Sequence, residues 1–177
     1  MTATLDVLAR ARAVRLAAFD VDGVLTDGRL NYGAEGETTK AFHTLDGHGF
    51  KLLRAAGVEV ALITARRSPA LARRADNLGL KYVTEDATDK RAALSALLGE
   101  LGLSPHEAAY MGDDFVDLPA LLVAGLALTV PVAPFEVKQR AHYVTRAAGG
   151  GGAVREACGL ILHAQGVNVA AQQKVDA

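Results

Sequence analysis

The chain has a single cysteine, Cys158, so it cannot close an internal disulfide. That excludes a cystine-stapled secreted scaffold and fits a reducing compartment, with the thiol as a small buried hydrophobe. Neither sign of charge dominates: 19 Lys and Arg stand against 20 Asp and Glu, a formal net charge of -1. With no long basic stretch either, nucleic acid is not expected as a partner. No apolar run approaches the ~18 residues that a membrane-spanning helix needs. The opening MTATLDVLARARAVR interrupts its leucines with Arg and Asp, unlike the apolar core of a secretory signal. The composition thus points to a soluble, cytoplasmic protein with no membrane partner.

What the chain does have is 50% hydrophobic residues in short runs, separated by stretches of helical period. Strands are expected at 16–19, 58–64, 81–83, 108–111, 126–130 and 143–145. Helices are expected at 49–56, 69–78, 90–101 and 117–124, with Pro69 and Gly79 as start and stop signals. Hydrophobicity that is continuous along a strand implies a sheet covered on both faces. The alternation of strand and helix then implies an α/β, Rossmann-like parallel sheet with right-handed crossovers. RLNYGAEGETTKAF, residues 29–42, breaks the rhythm and reads as a β-hairpin. No internal repeat or domain-sized insertion is present. GGGG at 149–152 reads as a bare linker, and the tail over 167–177 as a flexible end.

The chemistry concentrates where such strands end. LAAFDVDG sends an apolar run into Asp20 and Asp22, and further along come Thr64, Lys90, and Asp113, Asp114 and Asp117 in MGDDFVD. Open parallel sheets bind ligands beyond the carboxyl ends of their strands, so these residues are expected on one rim. Carboxylates crowded together repel unless protons or a cation compensate, and an oxygen-rich set suits Mg²⁺. A carboxylate can attack phosphorus, while a lysine and a threonine supply donors to phosphoryl oxygens. Taken singly, each residue has an ordinary explanation as a helix cap, turn or strand residue. Their conjunction in this order points to phosphoryl transfer.

DVDGVLTDG, LIT, DK and GDDFVD together resemble the four motifs of the haloacid dehalogenase superfamily of phosphatases. The resemblance implies Asp20 as nucleophile and Asp22 as general acid/base. It also implies Mg²⁺ held by Asp20, the backbone carbonyl of Asp22, and Asp113. Thr64 and Lys90 would hold the phosphoryl group, and Asp117 would support the metal shell. An acid at Asp22 favours phosphate-ester hydrolysis over dehalogenation, because a departing alkoxide needs a proton.

Only the hairpin occupies the space where larger relatives carry a cap domain. FDVDGVLTDG, KAF, DGHGF, YVTRAAGGGGAVREACGLIL and AQG are similar to the capless 3-deoxy-D-manno-octulosonate 8-phosphate phosphatase family over residues 14–166. That likeness implies one hydrolase domain over 1–177, a sugar-phosphate substrate, lipopolysaccharide precursor synthesis, and a homotetramer whose neighbours help cover each site. It carries substrate contacts onto Asp46, Gly47, Lys51, Arg66 and Arg74. His43 and His48 flank this region, either hydrogen-bonding a sugar hydroxyl or acting as capping or exposed imidazoles.

Several positions depart from the family pattern. Ala65 stands in place of a glycine, Leu45 in place of an arginine, and Glu85 and Asp86 in place of a Gln-Gly pair, while Gly149–Gly152 lack an interposed arginine. These changes alter charge around the expected substrate pocket rather than in the catalytic motifs. Another phosphorylated nonulosonic acid or sugar phosphate is therefore an open substrate. A phosphoacceptor or scaffold module is the alternative of a different class, although such a module needs no carboxylate two residues after the first.

Overall fold

Leu16–Phe19 (LAAF) carries no polar side chain, and all four residues are buried as β1, inside a parallel sheet. The structure is a computed structural model that describes residues 4–168. Its further strands are the hairpin pair β2 (Asn31–Gly33) and β3 (Gly36–Thr39), then β4 (Glu59–Ile63), β5 (Tyr82–Thr84), β6 (Ala108–Met111), β7 (Leu126–Thr129) and β8 (Tyr143–Val144). The main sheet runs β5-β4-β1-β6-β7-β8 with every pair parallel. Phe19 lies opposite both Leu62 and Met111, so β1, β4 and β6 end at the same level. That shared level is what brings the residues following each strand onto one rim.

The helices are α1 (Leu5–Ala13), α2 (Thr44–Ala55), α3 (Pro69–Leu78), α4 (Lys90–Leu101), α5 (Leu118–Leu121), α6 (Phe135–Arg140) and α7 (Ala153–Ala164). Chain order steps outward from β1 through β4 to β5, then back through β6, β7 and β8. Right-handed crossovers therefore put α2 and α3 on one face and α4, α5 and α6 on the other. α1 and α7 join α2 on the first face. Caps fix the ends: Ser68 and Asp89 accept the backbone N–H of Leu71 and Ala92, and Gly79 and Gly102 close α3 and α4 in left-handed conformation. Phe19 and Phe50, ring centroids 5.0 Å apart, join the sheet to α2.

The doubly covered parallel sheet and the hairpin agree with the sequence reading. The differences lie in the helices. α2 begins five residues before the expected 49, because residues 44–48, Gly47 included, are helical rather than loop residues. A Cβ at Gly49 would sit 3.0 Å from Cys158 Sγ, so the glycine lets α2 approach α7 closely. α1, α6 and α7 carry no expectation from the periodicity. The helix expected over 117–124 is a 3₁₀ turn, Phe115–Asp117, followed by the short α5. Gly149–Gly152 is no bare linker either: Gly150 N donates to Val24 O, and a Cβ on Gly149 would lie 1.8 Å from Gly23 O. This turn is packed against the loop after β1. Val167 donates to Leu162 O, and the remainder of the expected tail, 169–177, lies outside the described residues. Among the described residues no helix is long and apolar enough to cross a membrane.

Candidate active site

Asp20, one residue past β1, is buried and takes an ion pair from Lys90 Nζ at 2.7 Å. Lys90 is the first residue of α4, and its ammonium also meets Asp117 Oδ1 at 2.6 Å. Asp117 is fully buried, with Oδ1 accepting Tyr110 Oη at 2.8 Å and Oδ2 accepting the backbone N–H of Asp113 and Asp114. Its lone pairs are thus committed to protein donors, and through them it shapes the loop that carries Asp113. Asp20, Asp113 and Asp117 each offer an oxygen within 4.8 Å of the others.

Crowding is visible in the proton affinities. Burial, then the neighbouring Asp117, raises Asp20 to a pKa of about 7 despite Lys90. Burial, followed by Asp117 and Asp114, raises Asp113 to about 6. Desolvation pulls the Lys90 ammonium down, but Asp20 and Asp117 outweigh it and hold the pKa above its ordinary value. Two raised carboxyls facing each other over an oxygen-only donor set are what a hard divalent cation would relieve, so the residues fit Mg²⁺.

Gly23 makes this approach possible. It has φ +89°, and a Cβ there would stand 2.0 Å from Asp113 Oδ2. Thr26 Oγ1 accepts the backbone N–H of both Gly23 and Gly28, fixing the loop. Thr64, buried just past β4, receives Arg66 N on its hydroxyl at 3.2 Å. Asp20, Asp22, Thr64, Arg66, Lys90 and Asp113 together line a crevice of about 170 Å³.

The Asp22 carboxylate faces a different set of groups. Its Oδ1 is paired with Lys40 Nζ, and its Oδ2 lies 3.6 Å from Arg66 Nε. Glu37 Oε1 meets Lys40 at 3.2 Å and accepts Ser68 Oγ, while Oε2 accepts Arg66 Nη2 at 2.9 Å. Arg66 Nη2 also donates to Tyr32 Oη. Desolvation pushes Glu37 up, but the bonds from Arg66, Lys40 and Ser68 prevail and lower its pKa. Lys40, Glu37, Tyr32, Ser68 and Tyr110 went unassigned in the sequence. The usable signal for the first three was the hairpin's position immediately after the Asp22 loop.

Asp46, Gly47, Lys51 and Arg74 sit apart from this crevice in the single chain. Gly47, Lys51 and Arg74 line a separate concavity with Leu45, His48 and Asn77 between α2 and α3. Asp46 is buried and turned toward α7, where Oδ1 accepts Arg155 N at 2.8 Å and caps the helix. Gly47 makes room for Arg74, whose Nη2 would be 2.4 Å from a Cβ. His43 caps α2 by accepting Leu45 N. Glu85 accepts Ser68 N, and Asp86, at φ 55°, pairs with Arg67.

A family model of haloacid dehalogenase-like hydrolases matches residues 32–125. The 3-deoxy-D-manno-octulosonate 8-phosphate phosphatase KdsC of Yersinia pestis is 44% identical over 160 residues, covering 90% of this chain and 86% of the relative. A crystal structure of the Moraxella catarrhalis 3-deoxy-D-manno-octulosonate 8-phosphate phosphatase, in complex with magnesium ion, phosphate ion and KDO, superposes with a TM-score of 0.92. It is 40% identical and covers 97% of this chain and 98% of its own. A probable YrbI family phosphatase from Pseudomonas syringae gives the same TM-score at 46% identity, covering 97% of each chain. With strand ends, motif residues and near full-length likeness in agreement, the chain belongs to the haloacid dehalogenase-like hydrolases, among the 3-deoxy-D-manno-octulosonate 8-phosphate phosphatases.

Proposed function

We propose that this protein is a Mg²⁺-dependent phosphatase that hydrolyses a sugar-acid phosphate monoester, 3-deoxy-D-manno-octulosonate 8-phosphate first among them, through an aspartyl-phosphate. The observation that carries the reading is the convergence of Asp20, Asp113 and Asp117 within 4.8 Å beside Lys90, at the carboxyl ends of the strands. Relatives of this likeness are phosphatases for that substrate.

In this reading Asp20, Asp113 and the Asp22 backbone carbonyl would hold Mg²⁺, which when bound offsets negative charge on the carboxylates and the phosphoryl oxygens. Lys90 and Thr64 donate to those oxygens. The ionised Asp20 oxygen attacks phosphorus in line as the ester P–O bond breaks, and Asp22 gives its proton to the departing alkoxide. Asp22 then takes a proton from water, which attacks the phosphorus of the aspartyl-phosphate and releases inorganic phosphate with Asp20 restored. Asp117 acts by positioning Lys90 and the Asp113 loop.

The whole chain acts in this reading as one hydrolase domain, in the cytoplasm and in lipopolysaccharide precursor synthesis. A homotetramer would let a neighbour bring Lys51 and Arg74 toward an open crevice. The exposed hairpin residues Leu30 and Tyr32 support such an assembly. Light scattering checks it, with a monomer at micromolar concentration as the contrary result. Substrate identity is tested by phosphate release from a panel of sugar and sugar-acid phosphates with Mg²⁺. The highest kcat/KM is expected for 3-deoxy-D-manno-octulosonate 8-phosphate, and a simple aldose phosphate turned over better would redirect the assignment.

A further inference from the structure

Asp22 lies at the end of an unusual chain of charges. The Lys40 side chain is only 2% exposed, although it comes from the base of a hairpin whose strands face solvent. Its ammonium bridges Asp22 and Glu37, and Glu37 in turn is held by Ser68 and Arg66. Exposed ion pairs contribute little, but a lysine whose stem is buried and whose head is clamped between two carboxylates fixes the partners' geometry. The two oxygens of Asp22 are treated differently. Oδ1 is taken by Lys40, whereas Oδ2 is buried and has no hydrogen-bond partner among the described residues. Opposite it, Arg66 Nε is likewise buried and without such a partner, at a separation too long for a direct bond.

We propose that Glu37 and Lys40 are a positioning pair that pins Asp22 Oδ1 and leaves Oδ2 as the oxygen that exchanges the proton in turnover. The inference rests on the reading of Asp22 as general acid/base and adds the hairpin base to the catalytic apparatus. The ammonium of Lys40 is a compact point charge, able to hold one carboxylate oxygen without covering the other as a forked guanidinium would. In the first half-reaction the Asp22 Oδ2 proton moves to the leaving oxygen as the ester P–O bond breaks and the bond from Asp20 to phosphorus forms. In the second, Oδ2 receives the proton of the attacking water. Arg66 Nε lies 3.6 Å from the same oxygen and lines the crevice beside it.

The test uses the dependence on leaving group, which a merely structural contact does not alter. Phenyl and p-nitrophenyl phosphate differ in how much they need a proton on the departing oxygen, and kcat/KM reports the step that breaks the ester. Lys40→Met is expected to lower kcat/KM for phenyl phosphate by about 10- to 100-fold, a partial loss of general-acid catalysis. For p-nitrophenyl phosphate the loss should stay under about 3-fold, since its anion departs without that help. Glu37→Gln, which keeps the side chain's shape but loses the charge that holds Lys40, is expected to shift selectivity the same way by a smaller factor. It also keeps the inference testable should Lys40→Met fold poorly. Asp22→Asn is measured alongside. Leaving-group selectivity in Asp22→Asn but in neither hairpin variant overturns the positioning role alone. Its absence from all three overturns the acid/base reading, and the inference with it.

Discussion

Asp117 accepts from Lys90, Tyr110 and the N–H groups of Asp113 and Asp114, so one buried carboxylate fixes both the Lys90 ammonium and the loop that carries Asp113. Replacing Asp117 by Ala strands Lys90 and Tyr110 in the interior and frees the loop. Removing one partner of such a buried pair costs about 3–5 kcal/mol, and outer-shell partners of metal ligands are worth about 10- to 100-fold in metal affinity. Asp117→Ala should therefore lower the denaturant midpoint and weaken Mg²⁺ binding together. Unchanged Mg²⁺ affinity in a folded variant would contradict the positioning role. The shared crevice of Asp20, Asp22, Asp113, Thr64 and Lys90 was legible in the sequence because each follows an apolar run that reads as a strand or opens a helix after one. Lys40 and Glu37 were not, because their meaning lies in contacts across 18 residues to Asp22 and 29 to Arg66 that no local period records.

At the level of elements, the strands were legible and the glycine-bearing segments were not. LAAF, AAYM and LALT are continuous apolar runs, and each is wholly buried. Gly47 in α2 and the four glycines before α7 look like loop or linker to a propensity argument, and Gly49 like a helix end. In the fold Gly47 and Gly49 mark close approaches to Arg74 and to Cys158, and Gly149 and Gly150 to the backbone of the loop after β1. Propensity sees only the lost Cβ, not what occupies its place. Gly149→Ala puts a Cβ 1.8 Å from Gly23 O, so the turn and the loop after β1 must separate. A stability loss of about 1–3 kcal/mol is expected, as for overpacked interiors, with reduced turnover. Gly151→Ala, at an exposed position, should do neither. A Gly149→Ala protein with wild-type denaturation and activity would show that the contact between these segments is dispensable.

For the whole molecule, the crowded carboxyls at the rim hold protons that a bound cation would displace. Asp20 and Asp113 have pKa values raised to about 7 and about 6, so near neutrality both are partly protonated in the folded protein. A raised carboxyl pKa means the folded state binds protons more tightly than the unfolded one. These groups thus favour folding at low pH and oppose it as pH rises through 6 and 7 in the absence of metal. Mg²⁺ requires the ionised forms, so its affinity should weaken as pH falls through the same window, with protons released on binding. Titration calorimetry in buffers of different ionisation heat reads that release: clear at pH 6.5 and small above pH 8. Equal release at both would contradict the assignment of these two carboxyls as ligands. Fold and rim follow from the order of apolar runs, whereas Leu45, Lys51 and Arg74 line a separate concavity at a distance from the crevice. In the proposed mechanism the Asp20 carboxylate is the nucleophile that forms a covalent bond to phosphorus. Rapid acid quench with substrate and Mg²⁺, followed by peptide mass analysis, should find one phosphoryl group on the peptide bearing Asp20, labile to hydroxylamine. Asp20→Asn should carry none and turn over nothing measurable; turnover near wild type in that variant would contradict the account.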